Sequence, residues 1–299
     1  MSKVLVTGGC GFIGSSLVDK LVELYDEVWV IDNLSSESNE KFYYNKKAKY
    51  FYDDICDYEN TYNLYFGVDI VFHLAAESRI QPTLENPILA ANTNTVGTCT
   101  VLQCAKEASV TRVIYSSTSS GYGLLNKMPL KEGMPDDCLN PYSVTKVAGE
   151  KLCKMYTDLF NLETVTFRYF NVYGERHPIK GQYAPVVGIF IRQKDNNEDL
   201  TIVGDGLKTR DFTHVADIVR ANILAADLTN KKPVGQLINL GSGTNNSILE
   251  IAKMVSDKYV FIPDRLGEAQ DTLANIDKAK KLLGWIPTIT VRDWIKGTN

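Results

Sequence analysis

Val4-Leu5-Val6-Thr7-Gly8-Gly9-Cys10-Gly11-Phe12-Ile13-Gly14 is the most telling stretch of this chain. The apolar run at 4–6 suits a buried strand. The glycines that follow read as GxxGxxG from Gly8 or GxGxxG from Gly9. Ile13, Leu17 and Leu21, with Val18 and Val22, then recur at helical spacing. Glu27-Val28-Trp29-Val30-Ile31 reads as a second buried strand, closed by Asp32. The whole is a βαβ unit with a physical reason for each part. Glycines let the backbone turn tightly and approach a pyrophosphate, and the helix N-terminus offers free N–H groups and a positive dipole end. Asp32, 18 residues after Gly14, sits where an acid accepts hydrogen bonds from ribose hydroxyls. The same carboxylate repels a 2′-phosphate, so the expected dinucleotide is NAD rather than NADP.

The second signal lies in Pro141-Tyr142-Ser143-Val144-Thr145-Lys146. Residues four apart on a helix share a face, so a phenol and an ammonium are neighbours. A phenol titrates near 10 in water, too high for a base at neutral pH. A nearby cation favours the phenolate. The pair reads as a proton-transfer device, with Lys146 expected to lower the pKa of Tyr142.

Composition sets the frame. The chain has 299 residues, 44% apolar and 23% charged, with a net charge of −4. These are values of an ordinary globular protein. No basic cluster marks a nucleic-acid or anionic-membrane partner, and no apolar stretch approaches a membrane span. Met1-Ser2-Lys3 runs into the first strand, which predicts no signal peptide. Cys10, Cys56, Cys99, Cys104, Cys138 and Cys153 form no CxxC and have no zinc-site spacing. Scattered thiols predict a reducing cytoplasm. His73, His177 and His214 are too scattered for a metal motif, so no metal is expected.

Strand-like runs at Lys49-Tyr52, Asp69-Leu74, Arg112-Ser116 and Glu163-Arg168 alternate with helix-like runs at Asn94-Ala108 and Tyr142-Phe160. This predicts an α/β fold with a doubly wound parallel sheet of the Rossmann type. Ligands then bind beyond the carboxyl ends of the strands. After residue 170 the alternation stops tracking one sheet. Helix-like Tyr183-Gln193, a short strand at Leu200-Val203, a turn at Gly204-Asp205-Gly206, a strand end at Asn239-Leu240-Gly241-Ser242-Gly243 and a helix at Ile248-Lys258 predict a smaller C-terminal α/β substrate domain. The expected division is 1–170, with about 212–240 returning to it, for the dinucleotide, and 171–211 with 241–299 for the substrate.

Nine motifs in this order resemble the extended short-chain dehydrogenase/reductase family, and within it the nucleotide-sugar epimerases. They are Thr7–Gly14, Asp54-Ile55, His73-Leu74-Ala75-Ala76, Asn94–Thr98, Ser116-Ser117-Thr118, Tyr142–Lys146, Arg168–Asn171, Arg210–Val215 and Arg265–Glu268. The resemblance implies NAD contacts from Gly8, Gly11, Phe12, Ile13, Gly14, Asp32, Asn33, Asp54, Ile55, Leu74, Ala75, Ala76, Asn94, Ser116, Tyr142, Lys146 and Tyr169. Asp54 would meet the adenine, and Asn94 would lie buried beneath the site. Tyr142 would be the catalytic base, Lys146 would bond the nicotinamide ribose, and Thr118 would bond the reacting sugar oxygen. His73 is expected to be a hydrogen-bonded structural residue. A UDP-sugar would be held by Thr118, Asn171, Arg210, Arg265 and Glu268, with Thr201 and Val203 on the strand facing the base. Thr272 falls where relatives place a gate against the C2 substituent. Being small, it would admit an N-acetyl group. A homodimer is implied through Val96, Val101, Leu102, Ala105, Val147, Leu152, Met155 and Tyr156 on two helices.

The resemblance leaves the reaction open until Ser117-Thr118-Ser119-Ser120 is read. Dehydratases and decarboxylases of the family carry an acid after the Ser/Thr, whereas Ser119 and Ser120 stand there in this chain. A serine has no useful acidity near pH 7. Epimerisation needs only the shared machinery, so the expectation is C4 epimerisation of UDP-hexoses, first UDP-glucose and UDP-galactose. The alternatives are a 4,6-dehydratase, a 4-keto-sugar reductase, which Asp32 disfavours, and a non-catalytic NAD-binding regulator.

Overall fold

The computed structural model describes residues 2–36, 41–179, 184–264 and 269–298. Its strands are β1 (Lys3–Thr7), β2 (Glu27–Ile31), β3 (Lys49–Phe51), β4 (Ile70–His73), β5 (Arg112–Thr118), β6 (Glu163–Tyr169), β7 (Val172–Tyr173), β8 (Leu200–Val203), β9 (Thr209–Asp211), β10 (Thr213–His214), β11 (Gln236–Leu240), β12 (Asn245–Ser247) and β13 (Tyr259–Ile262). Its α-helices are α1 (Phe12–Leu21), α2 (Tyr58–Thr61), α3 (Ile80–Glu85), α4 (Pro87–Ala91), α5 (Thr98–Glu107), α6 (Pro141–Phe160), α7 (Val186–Asp195), α8 (Val215–Ala225), α9 (Ile248–Val255), α10 (Asp277–Leu283) and α11 (Val291–Thr298). None of these helices is long and apolar enough to cross a membrane.

One seven-stranded sheet organises the molecule, in the order β11-β6-β5-β4-β1-β2-β3, with every pairing parallel. The order reverses beside β1, which places the crevice for a ligand at the end of that strand. The doubly wound α/β fold expected from the alternation is present. The two faces bury separate cores. Val4, Val6, Val28 and Val30 point to one side with Leu17, Leu21 and Ile218. Leu5, Ile31, Val71 and Val113 point to the other with Val101, Leu102 and Tyr156. The period-two alternation within each central strand feeds both cores, because both faces are covered by helices. A third core, built on Tyr173, Phe190, Leu200, Ile202 and Ile251, holds β8, α7 and α9 together beside the large sheet.

The sequence differs from the structure in three informative places. The helix expected from Asn94 begins at Pro87, and Asn92–Gly97 winds as a π-helix before α5. Such single turns are frequent at functional sites. Here the turn carries Asn94, whose Nδ2 donates to the Glu77 carbonyl and to Thr145 Oγ1, both at 3.0 Å. The helix expected over Ile248–Lys258 stops at Val255. Ser256 is extended (φ −159°), and the chain turns into β13, parallel to β8. Finally, Val101, Leu102, Ala105, Val147 and Tyr156, expected to face a partner subunit, are buried in the chain's own core. Apolar side chains left outside on α4, the π-helical turn and α6 include Ile88, Val96, Val144 and Leu159, each at least half exposed.

Candidate active site

A cavity of about 980 Å³ runs along the carboxyl ends of β1, β2, β4, β5 and β6 and continues between α7 and β8. That is at the upper end of the range for small-molecule sites. One end is built from backbone. Gly8 adopts φ +72°, and an added Cβ would come within 2.7 Å of the Ala75 amide nitrogen. At Gly14 the added carbon would stand 2.1 Å from the Gly8 carbonyl oxygen. Side chains at either position would fill the cradle, so the loop stays open for a ligand at the N-terminus of α1. Gly11, Phe12, Ile13, Leu74, Ala75 and Ala76 also line this end.

Asp32 closes it. Its carboxylate accepts from the Cys10 and Leu34 amides, each at 2.9 Å, which locks the acid against the glycine loop. A carboxylate has about four lone-pair sites, so capacity for ribose hydroxyls remains. Burial and Asp32 together push the Cys10 thiol up to about 12, so it is inert in the loop. These features fit a dinucleotide lacking a 2′-phosphate.

Asp54 is the residue expected to meet the adenine. The cavity wall carries Asn33, Asp53 and Ile55, while the Asp54 carboxylate accepts from Asn33 Nδ2 (3.1 Å) and the Cys56 amide (2.8 Å). Asp54 thus orients Asn33 from behind, and Asp53 is the acid that meets the cavity. Asn94 likewise lies behind the wall, fully buried. His73, expected to be structural, is buried between Thr7 Oγ1 (2.7 Å) and Thr98 Oγ1 (2.9 Å). Burial depresses it to about 3, so it is neutral.

The middle of the cavity holds Thr118, Tyr142 and Lys146. Thr118 is the last residue of β5. Tyr142 sits in the first turn of α6, whose start is fixed by Pro141 and by the Ser143 amide donating to Asn140 Oδ1 at 2.9 Å. The Thr118 hydroxyl hydrogen-bonds the phenol, lies 3.2 Å from Ser120 Oγ and accepts from the Ser120 amide at 3.1 Å. A hydroxyl has one proton to donate, so Thr118 can pass it to either neighbour.

The electrostatics differ from the sequence expectation. Burial raises the Tyr142 phenol above its ordinary value; the opposing influences are the Thr118 hydrogen bond and the charge of Arg79. Lys146 is not among them. Its ammonium lies 4.4 Å above the Tyr115 ring, and burial lowers it to about 7. A shared helix face does not guarantee contact when one side chain has an aromatic surface to cover. Ser116 and Tyr169 complete this region: Ser116 Oγ is 2.9 Å from the Tyr169 hydroxyl, which also accepts from Asn222 Nδ2 at 2.8 Å.

Arg79 is the residue sequence reasoning missed. It precedes α3 with φ +96° and ψ 148°, a conformation almost restricted to glycine. Such strain costs about 1–3 kcal/mol and persists only where surroundings demand it. Nothing in the sequence marks it, because the arginine follows a motif whose small residues draw the eye. Lys208 and Arg192 are two further cations of the wall that went unread. Lys208 pairs with Asp264, and Arg192 donates to the Ile179 carbonyl at 2.7 Å.

The far end is framed by Asn171, Asp211 and Thr272. Asn171 Nδ2 donates to the Asp211 carbonyl (2.9 Å) and to Thr272 Oγ1 (3.2 Å), so both amide hydrogens are spent on protein. Its oxygen remains available to a ligand. Buried Asp211 accepts from Ser242, Gly243 and Ala274 amides and draws the segment carrying Thr272 onto β9. Arg210, also in the wall, donates to the Thr209 and Gln270 carbonyls. Thr201 and Val203 line the cavity, but the Thr201 amide is already donated to Gln193 Oε1 at 3.1 Å. Arg265 and Glu268 lie outside the described residues. Among the described residues no cluster of three His, Cys, Asp or Glu is placed to hold a metal ion.

The model of the GDP-mannose 4,6 dehydratase family matches residues 5–298. A putative UDP-glucose 4-epimerase of Methanocaldococcus jannaschii is 34% identical over 301 residues, covering 98% of this chain and 96% of the relative. The crystal structure of a UDP-glucose 4-epimerase with UDP-glucose from Thermotoga maritima superposes with a TM-score of 0.92 at 33% identity, covering 98% and 96% of the two chains. A dTDP-glucose 4,6-dehydratase of Streptomyces venezuelae, with NAD and TYD bound, superposes with a TM-score of 0.88 at 26% identity, covering 99% and 95%. With its fingerprint loop, its Thr-Tyr-Lys set and its cavity all in place, the chain belongs to the extended short-chain dehydrogenase/reductase family, in the group of nucleotide-sugar epimerases and dehydratases.

Proposed function

We propose that this protein is an NAD-dependent nucleotide-sugar 4-epimerase acting on UDP-hexoses, with UDP-glucose and UDP-galactose the first pair to test. The observation that carries the reading is the Thr118–Tyr142 hydrogen bond backed by hydroxyls rather than acids, in one cavity with the glycine loop. A bound dinucleotide would be held along Gly8–Gly14, with Asp32 accepting from its ribose hydroxyls and Asn33, Asp53 and Ile55 on its adenine side. When bound, NAD supplies the acceptor that takes the C4 hydride and returns it to the opposite face.

The chain's residues manage the proton and the position. Tyr142 removes the proton of the 4-hydroxyl. Thr118 holds that oxygen and donates to the phenolate. Burial opposes ionisation of the phenol, and Thr118 and Arg79 offset part of that cost. Lys146 anchors the nicotinamide ribose. The UDP part is gripped by Arg210 with Arg192 and Lys208, while the segments 171–211 and 241–299 form the substrate half. A roomy centre lets the keto sugar turn about its diphosphate before reduction.

Thr272 is small and held on Asn171 and the Asp211 amide, which leaves room for an N-acetyl group at C2. A homodimer through Ile88, Val96 and Val144 is the assembly this surface favours, and six free thiols favour a reducing cytoplasm. Sedimentation equilibrium tests the dimer; a monomer at micromolar concentration refutes it.

One observation favours a second reading. Glu77 lines the cavity on the segment between β4 and α3, so an acid reaches the wall although Ser119 and Ser120 supply none. If Glu77 acts on C5 and C6, the product is a 4-keto-6-deoxy sugar. NMR of the products from UDP-glucose and UDP-galactose separates the two: a C4 epimer supports epimerisation, and loss of the C6 oxygen supports dehydration.

A further inference from the structure

One cation of the cavity wall has no ion-pair partner among the described residues. Arg79 lines the wall beside Tyr142, and among the described residues it makes no ion pair and no hydrogen bond; its one charge neighbour is the phenol itself. It is half-buried, and burial lowers it to about 10. A partly desolvated guanidinium without a partner is costly, and this one is also held in a strained backbone conformation. The other cations of the wall differ. Lys208 pairs with Asp264, Arg192 holds the Ile179 carbonyl, and Arg210 holds the Thr209 and Gln270 carbonyls. Those three come from α7 and the β8–β9 region. Arg79 comes from the start of α3, which packs on α6 and so on the helix of Tyr142.

Position then identifies the anion. A base must lie within hydrogen-bond reach of the proton it removes, so Tyr142 marks the sugar C4 hydroxyl. The pyrophosphate of a dinucleotide belongs at the Gly8–Gly14 amides, and the substrate diphosphate at the cations near β9. Arg79 stands on a different element from both, at the start of α3. Two sugar carbons, C2 and C6, lie two bonds from C4, and of these only the exocyclic C6 can carry a carboxylate with the ring intact; its two oxygens match the two-pronged geometry of arginine.

We propose, building on the epimerase reading above, that Arg79 is a specificity-determining residue that binds a carboxylate at C6 of the sugar, so that UDP-hexuronates are the preferred substrates of this cavity. A neutral hexose leaves the guanidinium against a hydroxyl; a hexuronate neutralises it.

The test compares UDP-glucuronate and UDP-galacturonate with UDP-glucose and UDP-galactose in the purified protein. C4 epimerisation is followed by NMR, and affinity by calorimetry. The expected result is kcat/KM and affinity at least roughly tenfold better for the acids, from a charge-assisted pair. In Arg79→Gln the ratio of acid to neutral kcat/KM falls roughly ten- to a hundredfold, and Arg79→Lys restores part of it because the charge remains without the fork. Equal or better binding of the neutral sugars by the unaltered protein overturns the proposal. So does an Arg79→Gln variant that loses turnover equally on both kinds of sugar, which would assign the cation to the phenolate. If no sugar is epimerised the reaction reading fails, yet the affinity ratio still tests the carboxylate site by itself. If Arg79→Gln does not fold, as judged by its thermal transition, the comparison in the unaltered protein decides alone.

Discussion

The two ends of the cavity are built by different means. The nucleotide end is a backbone structure: a loop in which Gly8 and Gly14 tolerate no side chain, and one carboxylate, Asp32, fastened to the amides of that loop. The loop, its acid and the amides that hold the acid all lie within the first 34 residues. The sugar end is assembled from side chains far apart in the chain. Thr118 meets Tyr142 across a long loop, Asn171 bonds Thr272 across 101 residues, and Arg79 stands in a conformation that its own residue type disfavours. A site made of backbone can bind one ligand well and change little. A site made of remote side chains can be retuned one substitution at a time, which is where members of one family can part in chemistry and substrate.

The comparison can be broken in order of expected effect. Tyr142→Phe removes the proton acceptor but no part of the nucleotide cradle. Turnover is expected to fall about 10³-fold, with dinucleotide content by ultraviolet absorbance unaltered; equal loss of both would mean the phenol is structural. Gly14→Val does the reverse. Its side chain meets the Gly8 carbonyl, so the protein should purify without dinucleotide, losing affinity by about 10²-fold or more. A variant that keeps NAD contradicts the cradle.

Lys146 gives a pH test at the boundary of the two ends. Burial lowers it from its ordinary 10.5 to about 7, so between these values the unfolded chain binds the proton more tightly than the folded one. Stability must therefore rise with pH across that window, and the cost of the buried ammonium is fully present below pH 7. Urea unfolding of the cofactor-free protein should show Lys146→Met stabilised relative to the original most at pH 6 and least near pH 10. A gap that does not shrink as pH rises contradicts the depressed lysine. The smallest effect is expected at Thr272→Tyr, which narrows the C2 side. UDP-N-acetyl sugars should lose roughly tenfold in kcat/KM while plain UDP-hexoses lose less; equal loss on both removes the gate.

What was readable in the sequence follows the same division. The βαβ unit, the parallel sheet and the Tyr142 helix could be read locally, because hydrophobic period, capping and glycine chemistry act between near neighbours. Asp54 was read as the adenine contact by resemblance; in the structure Asp53 lines the wall and the Asp54 carboxylate accepts from Asn33. Lys146 was read as the partner of the phenol by helix spacing, which cannot reveal that the Tyr115 ring competes for it. Asn171 was read as a ligand amide; its hydrogens are donated to Asp211 and Thr272, a link that only the tertiary fold makes. The dimer face was read from apolar helix positions, although covering the sheet uses most of them first. Arg79 carried no signal at all, because its meaning rests on what does not pair with it.

The proposed epimerisation requires Thr118 and Tyr142 to drive reversible oxidation at C4 with return of the hydride to the same carbon. One NMR time course of the purified protein with UDP-glucose, UDP-galactose and UDP-glucuronate tests it. The account predicts interconversion of C4 epimers to a fixed ratio from either side, with C6 unchanged and no net consumption of NAD. A 4-keto-6-deoxy product, or stoichiometric accumulation of NADH, would contradict it.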